Sequence, residues 1–439
     1  MSSWNGRSAL QQIPYPDADG MDRVITDISR YPPLVFPGEV DELRGHLARA
    51  VDGEVFVLQG GDCVERFRDC TAHRIGDRIK ILLQMSVVLT YAAKMPVLKI
   101  GRIAGQFFKP RSAETEIIDG REVLTYRGDP VHRYDPGPDG AGRLPDAERL
   151  REGYFHAAAT LNYIRAMLSG GFADLHHPSQ WDLASMRDTP QWESYRHIVD
   201  RILDAIQFME SFGGVNQESV GNIRFFTSHE ALHLPWEEAL TRTDGGRRYN
   251  LSAHTVWLGA RTADIDGAHV AYLASIANPI GIKISPGTEP DHLVRLLERL
   301  DPDRIPGRIA LITRLGADAV AERLPPLIHA VAATDHRVLW MVDPMHGNTE
   351  NTASGRKTRR FEAILDELSR SFAVHEAEGG RVGGVHFELT GDNVTECVGG
   401  AIPLGEDDLH RRYESYCDPR LNYTQSMETA FLMASLLRR

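Results

Sequence analysis

The chemistry-bearing residues of this chain sit at the ends of short apolar runs. Cys63 closes Gln59-Gly-Gly-Asp-Cys63, His346 lies in Asp343-Pro-Met-His346-Gly, Glu388 ends a run containing His386, and Asp418 follows Cys417. One thiolate, one imidazole and two carboxylates form a donor set suited to a divalent transition metal such as Mn, Co, Fe or Zn. A second group is cationic: Arg102, Lys109, Arg111, Arg261, Lys283 and Arg314. Cations gathered beside a metal call for an anionic substrate, with phosphates and carboxylates the obvious candidates. Taken singly, each Arg reads as a surface ion pair and Cys63 as a small buried hydrophobe. Recurrence at the same end of successive runs is what argues for a site.

Two further motifs are weaker. His229-Glu-Ala-Leu-His233 matches the H-E-x-x-H of zinc proteases. That chemistry needs both histidines on one helix. Here an apolar run leads straight into the motif and Pro235 follows it, so a protease is the lesser reading. Gly355-Arg-Lys-Thr358 echoes the end of a Walker A loop but lacks Gly directly before Lys, and reads as a polar loop.

The elements that must position these residues alternate in type. Apolar, β-branched runs occur at Glu54–Gly60, Pro96–Ile103, Asn222–Thr227, Leu251–Leu258, Pro279–Ser285, Arg308–Thr313, Arg337–Val342 and Gly384–Leu389. They are apolar on both faces, as buried parallel strands are. Helical stretches separate them, including Arg78–Ala93, Gly267–Ala277, Asp291–Leu300 and Arg359–Glu378. Such alternation predicts an α/β chain folded as a (β/α)8 TIM barrel, whose chemistry lies at the C-terminal strand ends. A doubly wound open sheet is the alternative, but no G-x-G-x-x-G follows an early strand.

The connection from Lys109 to Gly221 contains no convincing strand. It reads as a loop over Gly128–Gly142 and helices over Asp146–Leu168 and Gln191–Phe212, an insert at about 140–215. Prolines 14, 16, 32, 33 and 37 break residues 1–53 into short pieces, with one amphipathic segment near Met21–Ile28. This predicts an extension lying on a catalytic barrel of residues 54–439.

Composition narrows the class. Across 439 residues, 42% apolar and 25% charged content excludes disordered, collagenous and membrane chains. A net charge of −12 disfavours nucleic acid as a partner. The N-terminus has no basic stretch followed by an apolar one, and the 4 cysteines form no C-x-x-C, so a cytoplasmic enzyme is expected.

The motifs GGDC, KIGRIAGQFFKPRS, TSHEAL, NPIGIKISP, LITRLG, DPMHGNT, HFELTGDNVTEC and CDPRLN together resemble the type II (plant-like) 3-deoxy-D-arabino-heptulosonate 7-phosphate (DAHP) synthases. The resemblance spans essentially the whole chain, including ALQQIPYPD and PPLVFPGEV. It implies a barrel with an N-terminal extension and extra helices between strands 2 and 3. It implies the metal-dependent, aldol-like condensation of phosphoenolpyruvate with erythrose 4-phosphate, giving DAHP and phosphate, the first step of the shikimate pathway. Mn2+ is the expected ion, with Co2+, Fe2+ or Zn2+ as alternatives. The metal ligands would be Cys63, His346, Glu388 and Asp418. Phosphoenolpyruvate would meet Arg102, Arg261, Lys283 and Arg314, and the phosphate of erythrose 4-phosphate would meet Arg111 and Ser112. Lys109 would lie between the substrates, with Lys109, Arg102 and His346 as catalytic residues. A homo-oligomer also follows from the resemblance, whereas a chorismate mutase partner belongs to the reading of the chain as a catalytically silent interaction protein.

One position departs from the family pattern. Ala260 stands where type II members usually carry Glu in W-x-G-E-R, which fits a secondary-metabolism paralogue such as an amino-DAHP synthase acting on an imine. A catalytically silent interaction protein is a further alternative, opposed by the intact ligand set. If Cys63 and Asp418 share one metal, Cys417 is expected near Cys63, within the roughly 4.4–6.8 Å Cα separation a disulfide requires.

Overall fold

The computed structural model describes residues 4–170, 187, 192–211 and 224–438. Its centre is a closed barrel of parallel strands arranged in chain order, the last pairing back onto the first. The strands are β1 (Phe56–Gly61), β2 (Val97–Arg102), β3 (Phe225–Glu230), β4 (Thr255–Leu258), β5 (Ile280–Ile284), β6 (Ile309–Thr313), β7 (Leu339–Val342) and β8 (Gly384–Glu388). Runs such as Ile309-Ala-Leu-Ile-Thr313 are buried almost throughout, because helices cover the outer face and side chains fill the interior.

The predicted strands coincide with these except in extent. β3 begins at Phe225 rather than Asn222, and Asn222 and Ile223 lie outside the described residues. It also runs on through Ser228, His229 and Glu230, polar residues that are buried because they line the barrel end. Their polarity hides the strand from an apolar-run reading. The motif His229–His233 is therefore split. His229 is on β3, whereas the His233 ring accepts from the Trp236 N–H and caps the short helix Leu234–Ala239. His229 faces Glu237 in a buried contact (3.1 Å), so the helical metal pair of a zinc protease does not form.

Helices Ala72–Ala93, Ala268–Ala274, Pro290–Leu300 and Phe361–Ala377 follow β1, β4, β5 and β7; the first begins at Ala72 rather than Arg78, and the others agree with the predicted bounds within a few residues. The insert contains helices Glu148–Ser169 and Trp192–Ser211, while Gln191 and Phe212 lie outside the described residues.

Three expectations need correction. Residues 37–51 are not broken by proline: Pro37 starts the helix Pro37–Val51, where its missing N–H costs nothing. That helix buries Val40, Leu43, Leu47 and Ala50. The stretch after Lys109 does contain strands, an antiparallel hairpin of Thr115–Ile118 and Arg121–Leu124. Asp119 and Gly120 form its turn at φ 50° and 76°, the left-handed pair a two-residue hairpin requires. Lastly, Lys357 and Thr358 of the supposed polar loop lie in a strand, Lys357–Arg359, paired with Thr349–Asn351.

Candidate active site

Strand register brings the donors level. Gly61 pairs with Arg102 of β2 and with Glu388 of β8, so three strand ends stand side by side. Gly61 adopts φ +147°, and a Cβ there would lie 2.6 Å from the Arg102 carbonyl oxygen. Only glycine lets β1 turn into Asp62 and Cys63 at that approach.

One ligand atom each of Cys63, Glu388 and Asp418 lies within 4.8 Å of the other two. The Asp418 backbone N–H donates to Cys63 Sγ (3.3 Å). His346 Nε2 is 2.9 Å from Glu388 Oε1, and its Nδ1 bonds Asp343 Oδ2 at 2.7 Å. A carboxylate on Nδ1 orients the ring and turns Nε2 toward Glu388, where a metal would be held. One sulfur and two carboxylates are clustered and largely buried, His346 meets them through Glu388, and such a donor set fits a borderline divalent ion.

Cations surround this cluster. Arg102 donates to Glu388 Oε1 (2.9 Å), and Arg359 donates to Oε2 (2.8 Å). Lys109 Nζ contacts Asp418 Oδ2 at 2.7 Å and Cys63 Sγ at 2.9 Å. Burial alone would raise the Glu388 carboxyl. The charges of His346, Lys109, Arg359 and Arg102 outweigh it and hold the group well below the usual carboxylate range. Burial also opposes ionisation of Asp418, and Lys109, Lys357 and Arg359 overcome it. Burial, Cys417 and the neighbouring carboxylates push the Cys63 thiol up. Lys283, ion-paired with Asp343, is brought down to about 8 by burial.

Two adjoining cavities share Lys109, Arg261 and Asp418. The outer, of about 270 Å³, is lined by Arg111, Ser112 and Lys357. Arg261 closes its wall by donating to Ser112 Oγ (2.9 Å). The inner, of about 70 Å³, is lined by Arg102, Lys283, Arg314, His346 and Glu230. The cationic residues singled out in the sequence thus line these two cavities, and the proposed ligands His346 and Asp418 line them too. Ala260 is exposed and lines the inner cavity without a polar group of its own.

Other side chains at this end of the barrel escaped the sequence reading. Glu230 is buried in the inner cavity with Oε1 unpartnered, and burial raises its carboxyl despite Lys109, Lys283 and Arg102 nearby. Its place at a predicted strand end was the available signal, masked by the H-E-x-x-H pattern. Lys357 bonds Asp418 Oδ1 (2.8 Å) and Arg359 braces Glu388, yet both fell in stretches read as loop and helix start. Glu367, on the helix Phe361–Ala377, accepts from the N–H groups of Leu315 and Gly316 (2.8 Å each) and from Asn348 Nδ2 (2.7 Å). It braces both the loop after Arg314 and the loop after His346. Nothing in its sequence neighbourhood marks it.

A (β/α)8 barrel with a cation-lined double cavity at its C-terminal strand ends defines an enzyme acting on small anionic molecules. The chain belongs to the Class-II DAHP synthetase family, which matches residues 1–434. It is 48% identical over 439 residues to phospho-2-dehydro-3-deoxyheptonate aldolase of Streptomyces coelicolor, covering 100% of this chain and 97% of that protein. The similarly named Neurospora crassa protein is 44% identical over 455 residues, covering 100% and 94%. The AroG protein of that name from Mycolicibacterium smegmatis is 45% identical over 439 residues, covering 98% and 93%.

Proposed function

We propose that this chain condenses phosphoenolpyruvate with erythrose 4-phosphate to give DAHP and inorganic phosphate. The observation carrying the reading is the pair of cation-lined cavities that share Lys109 and Arg261, one compartment for each phosphorylated substrate. Arg102, Lys283 and Arg314 hold phosphoenolpyruvate in the inner cavity, where buried guanidinium and ammonium groups favour its carboxylate and phosphate. Arg111 and Ser112 hold the phosphate of erythrose 4-phosphate in the outer one. Arg261 stands at the junction and serves the phosphoenolpyruvate side. Fixing both substrates converts an encounter of two dilute anions into a reaction between positioned neighbours.

Cys63, His346, Glu388 and Asp418 would hold a divalent ion, Mn2+ in the first instance. When bound there, such an ion supplies Lewis-acid polarisation of the aldehyde oxygen. Carbon–carbon bond formation joins C3 of phosphoenolpyruvate to that aldehyde carbon. Water then adds at C2, and the hemiketal phosphate loses phosphate by C–O cleavage. Lys109 reaches both cavities and is placed to hold a proton at the developing alkoxide. Arg102 steadies Glu388 while facing the inner cavity.

We further read the chain as an extension of residues 1–53 on a barrel of residues 54–439, with the insert at about 140–215. The family resemblance supports a homo-oligomer, and the sparse cysteines support a cytoplasmic place of work. Among the described residues no helix is long and apolar enough to cross a membrane. The decisive experiment mixes purified protein with Mn2+, phosphoenolpyruvate and erythrose 4-phosphate and follows loss of the enol-ester absorbance. Consumption should stop in excess EDTA and return with Mn2+ or Co2+. Full activity of metal-stripped protein in EDTA contradicts the metal assignment, and no turnover with any of these ions contradicts the reaction.

A further inference from the structure

Residues 7–12 of the N-terminal arm reach the C-terminal strand ends, where the site lies. Arg7 donates to the Asp266 carbonyl (3.0 Å), and the Ala268 N–H donates to the Ser8 carbonyl (2.9 Å), both in the segment after β4. Gln12 donates to the Leu232 carbonyl (2.8 Å) and accepts from the Leu234 N–H (3.1 Å), just after β3. Between these anchors Gln11 stands at φ 61°, a left-handed conformation that a residue with a side chain rarely adopts. The anchors on both sides hold it there. Its side chain reaches the segment after β2. Gln11 Oε1 accepts the Arg111 backbone N–H at 2.8 Å and a guanidinium N–H of Arg127 at 3.4 Å.

Arg111 lines the outer cavity, and the Gln11 contact fixes its main chain. The tip of the side chain is held less closely, with Cys417 Sγ at 3.5 Å and Glu116 Oε2 at 3.6 Å. A fixed root and a lightly held guanidinium suit a group that must meet an incoming anion. The Lys109 N–H donates to the Arg127 carbonyl (3.0 Å), so these two segments lie side by side and Gln11 joins them beyond that bond. Across the cavity Arg261, from the same segment after β4 that Arg7 and Ser8 grip, donates to Ser112 Oγ (2.9 Å). The arm therefore ties together the segments that supply Arg111, Ser112 and Arg261 to one cavity.

We propose that Gln11 is a positioning residue for the outer cavity, its carboxamide oxygen setting the Arg111 backbone so that the guanidinium meets the phosphate of erythrose 4-phosphate. The inference rests on the reading of that cavity as the erythrose 4-phosphate compartment. Two variants separate the hydrogen bond from mere packing. Gln11→Met keeps the length of the side chain and loses the acceptor. Gln11→Glu keeps the acceptor and sets its charge against Arg127. Loss of one hydrogen bond shifts an equilibrium by about two- to ten-fold. Steady-state kinetics at saturating Mn2+ should therefore show Gln11→Met raising the KM for erythrose 4-phosphate about five-fold, with the KM for phosphoenolpyruvate within about two-fold of wild type. Gln11→Glu should leave both constants within about two-fold. The proposal is overturned if Gln11→Met leaves the KM for erythrose 4-phosphate unchanged, if it raises both constants alike, or if the Met and Glu variants behave alike. Those results, with a wild type that turns over both substrates, defeat the Gln11 assignment alone. A wild type that turns over neither defeats the reading of the cavity and this inference with it.

Discussion

Replacing Arg359 with leucine tests how the donor cluster is held. The guanidinium donates to Glu388 Oε2 (2.8 Å), to Thr349 Oγ1 (2.9 Å) and to the Pro419 carbonyl. It thereby ties β8 to the strand after His346 and to the loop bearing Asp418. Both members of the Arg359–Glu388 pair are fully buried. Removing one partner of such a pair costs about 3–5 kcal/mol, because the other charge stays buried. Arg102 still donates to Glu388 at 2.9 Å, so Arg359→Leu should fall at the low end, about 3 kcal/mol. At roughly 2.1 cal/mol/K per residue, a chain of 439 residues has an unfolding entropy of about 0.9 kcal/mol/K, giving a melting shift of about 3 °C. Loss of a brace behind metal ligands should also weaken metal binding by about 10- to 100-fold. Scanning calorimetry reads the first effect, and Mn2+ competition against a chromophoric chelator reads the second. A variant that melts within about 1 °C of wild type and binds Mn2+ equally well refutes the bracing role.

Other outcomes follow from the same geometry. Arg314→Ala should raise the KM for phosphoenolpyruvate more than that for erythrose 4-phosphate, and Arg111→Ala the reverse, each by about 2–5 kcal/mol of lost charged contact. Steady-state kinetics with both substrates varied checks this, and equal effects on both substrates contradict the two-cavity assignment. Cys417 lies beside Cys63, and its thiol is lowered by hydrogen bonding to Cys63 and by Lys109 and Arg111, against its burial. Mild oxidation of metal-stripped protein should therefore yield a Cys63–Cys417 disulfide with loss of activity, and bound metal should protect. Peptide mapping that finds Cys63 free, or paired with Cys70 or Cys397, rejects this. Finally, burial lowers His132 to about 4, and its ring bonds the Arg143 carbonyl (2.7 Å) while accepting the Arg127 N–H (2.8 Å). The unfolded chain takes up a proton near pH 6.5 that the folded ring refuses, so stability falls as pH drops from about 6.5 to 4. Denaturant titrations should show that His132→Phe loses about 2 kcal/mol less than wild type between pH 7 and 5. The same loss in both proteins removes His132 as the cause.

The sequence was most informative where chemistry and periodicity coincided. Barrel strands declare themselves because burial on both faces demands continuous apolar runs, as at Ile280–Ile284. Lys283 then stands out as the one charge within such a run, just as Arg102 ends another. Residues acting from outside a strand were silent. Arg359 lies in a short strand joining a hairpin to a helix, and its partners Glu388 and Pro419 are distant in sequence. Glu367 sits in the middle of a helix among ordinary polar positions. Its role arises from where the barrel places the loops beyond Thr313 and His346. Glu230 was visible as a residue but not as a member of the inner cavity, because a familiar motif offered a competing explanation. The hairpin at Thr115–Leu124 shows the limit of apolar-run reading, since most of its side chains face solvent and only its Asp-Gly turn betrays it.

The helix Phe361–Ala377 carries Glu367 near one end of the barrel and His375 near the other. Eight residues of helix separate them, roughly 12 Å at 1.5 Å per residue. An α-helix is stiff along its axis, so this segment behaves as a rod. From its upper part hang the loop following Arg314 and the loop following His346, both gripped by one carboxylate. An axial slide of the rod therefore carries the two loops together. The substrate side and the ligand side keep their spacing under a displacement that would pull them apart if each loop were anchored separately.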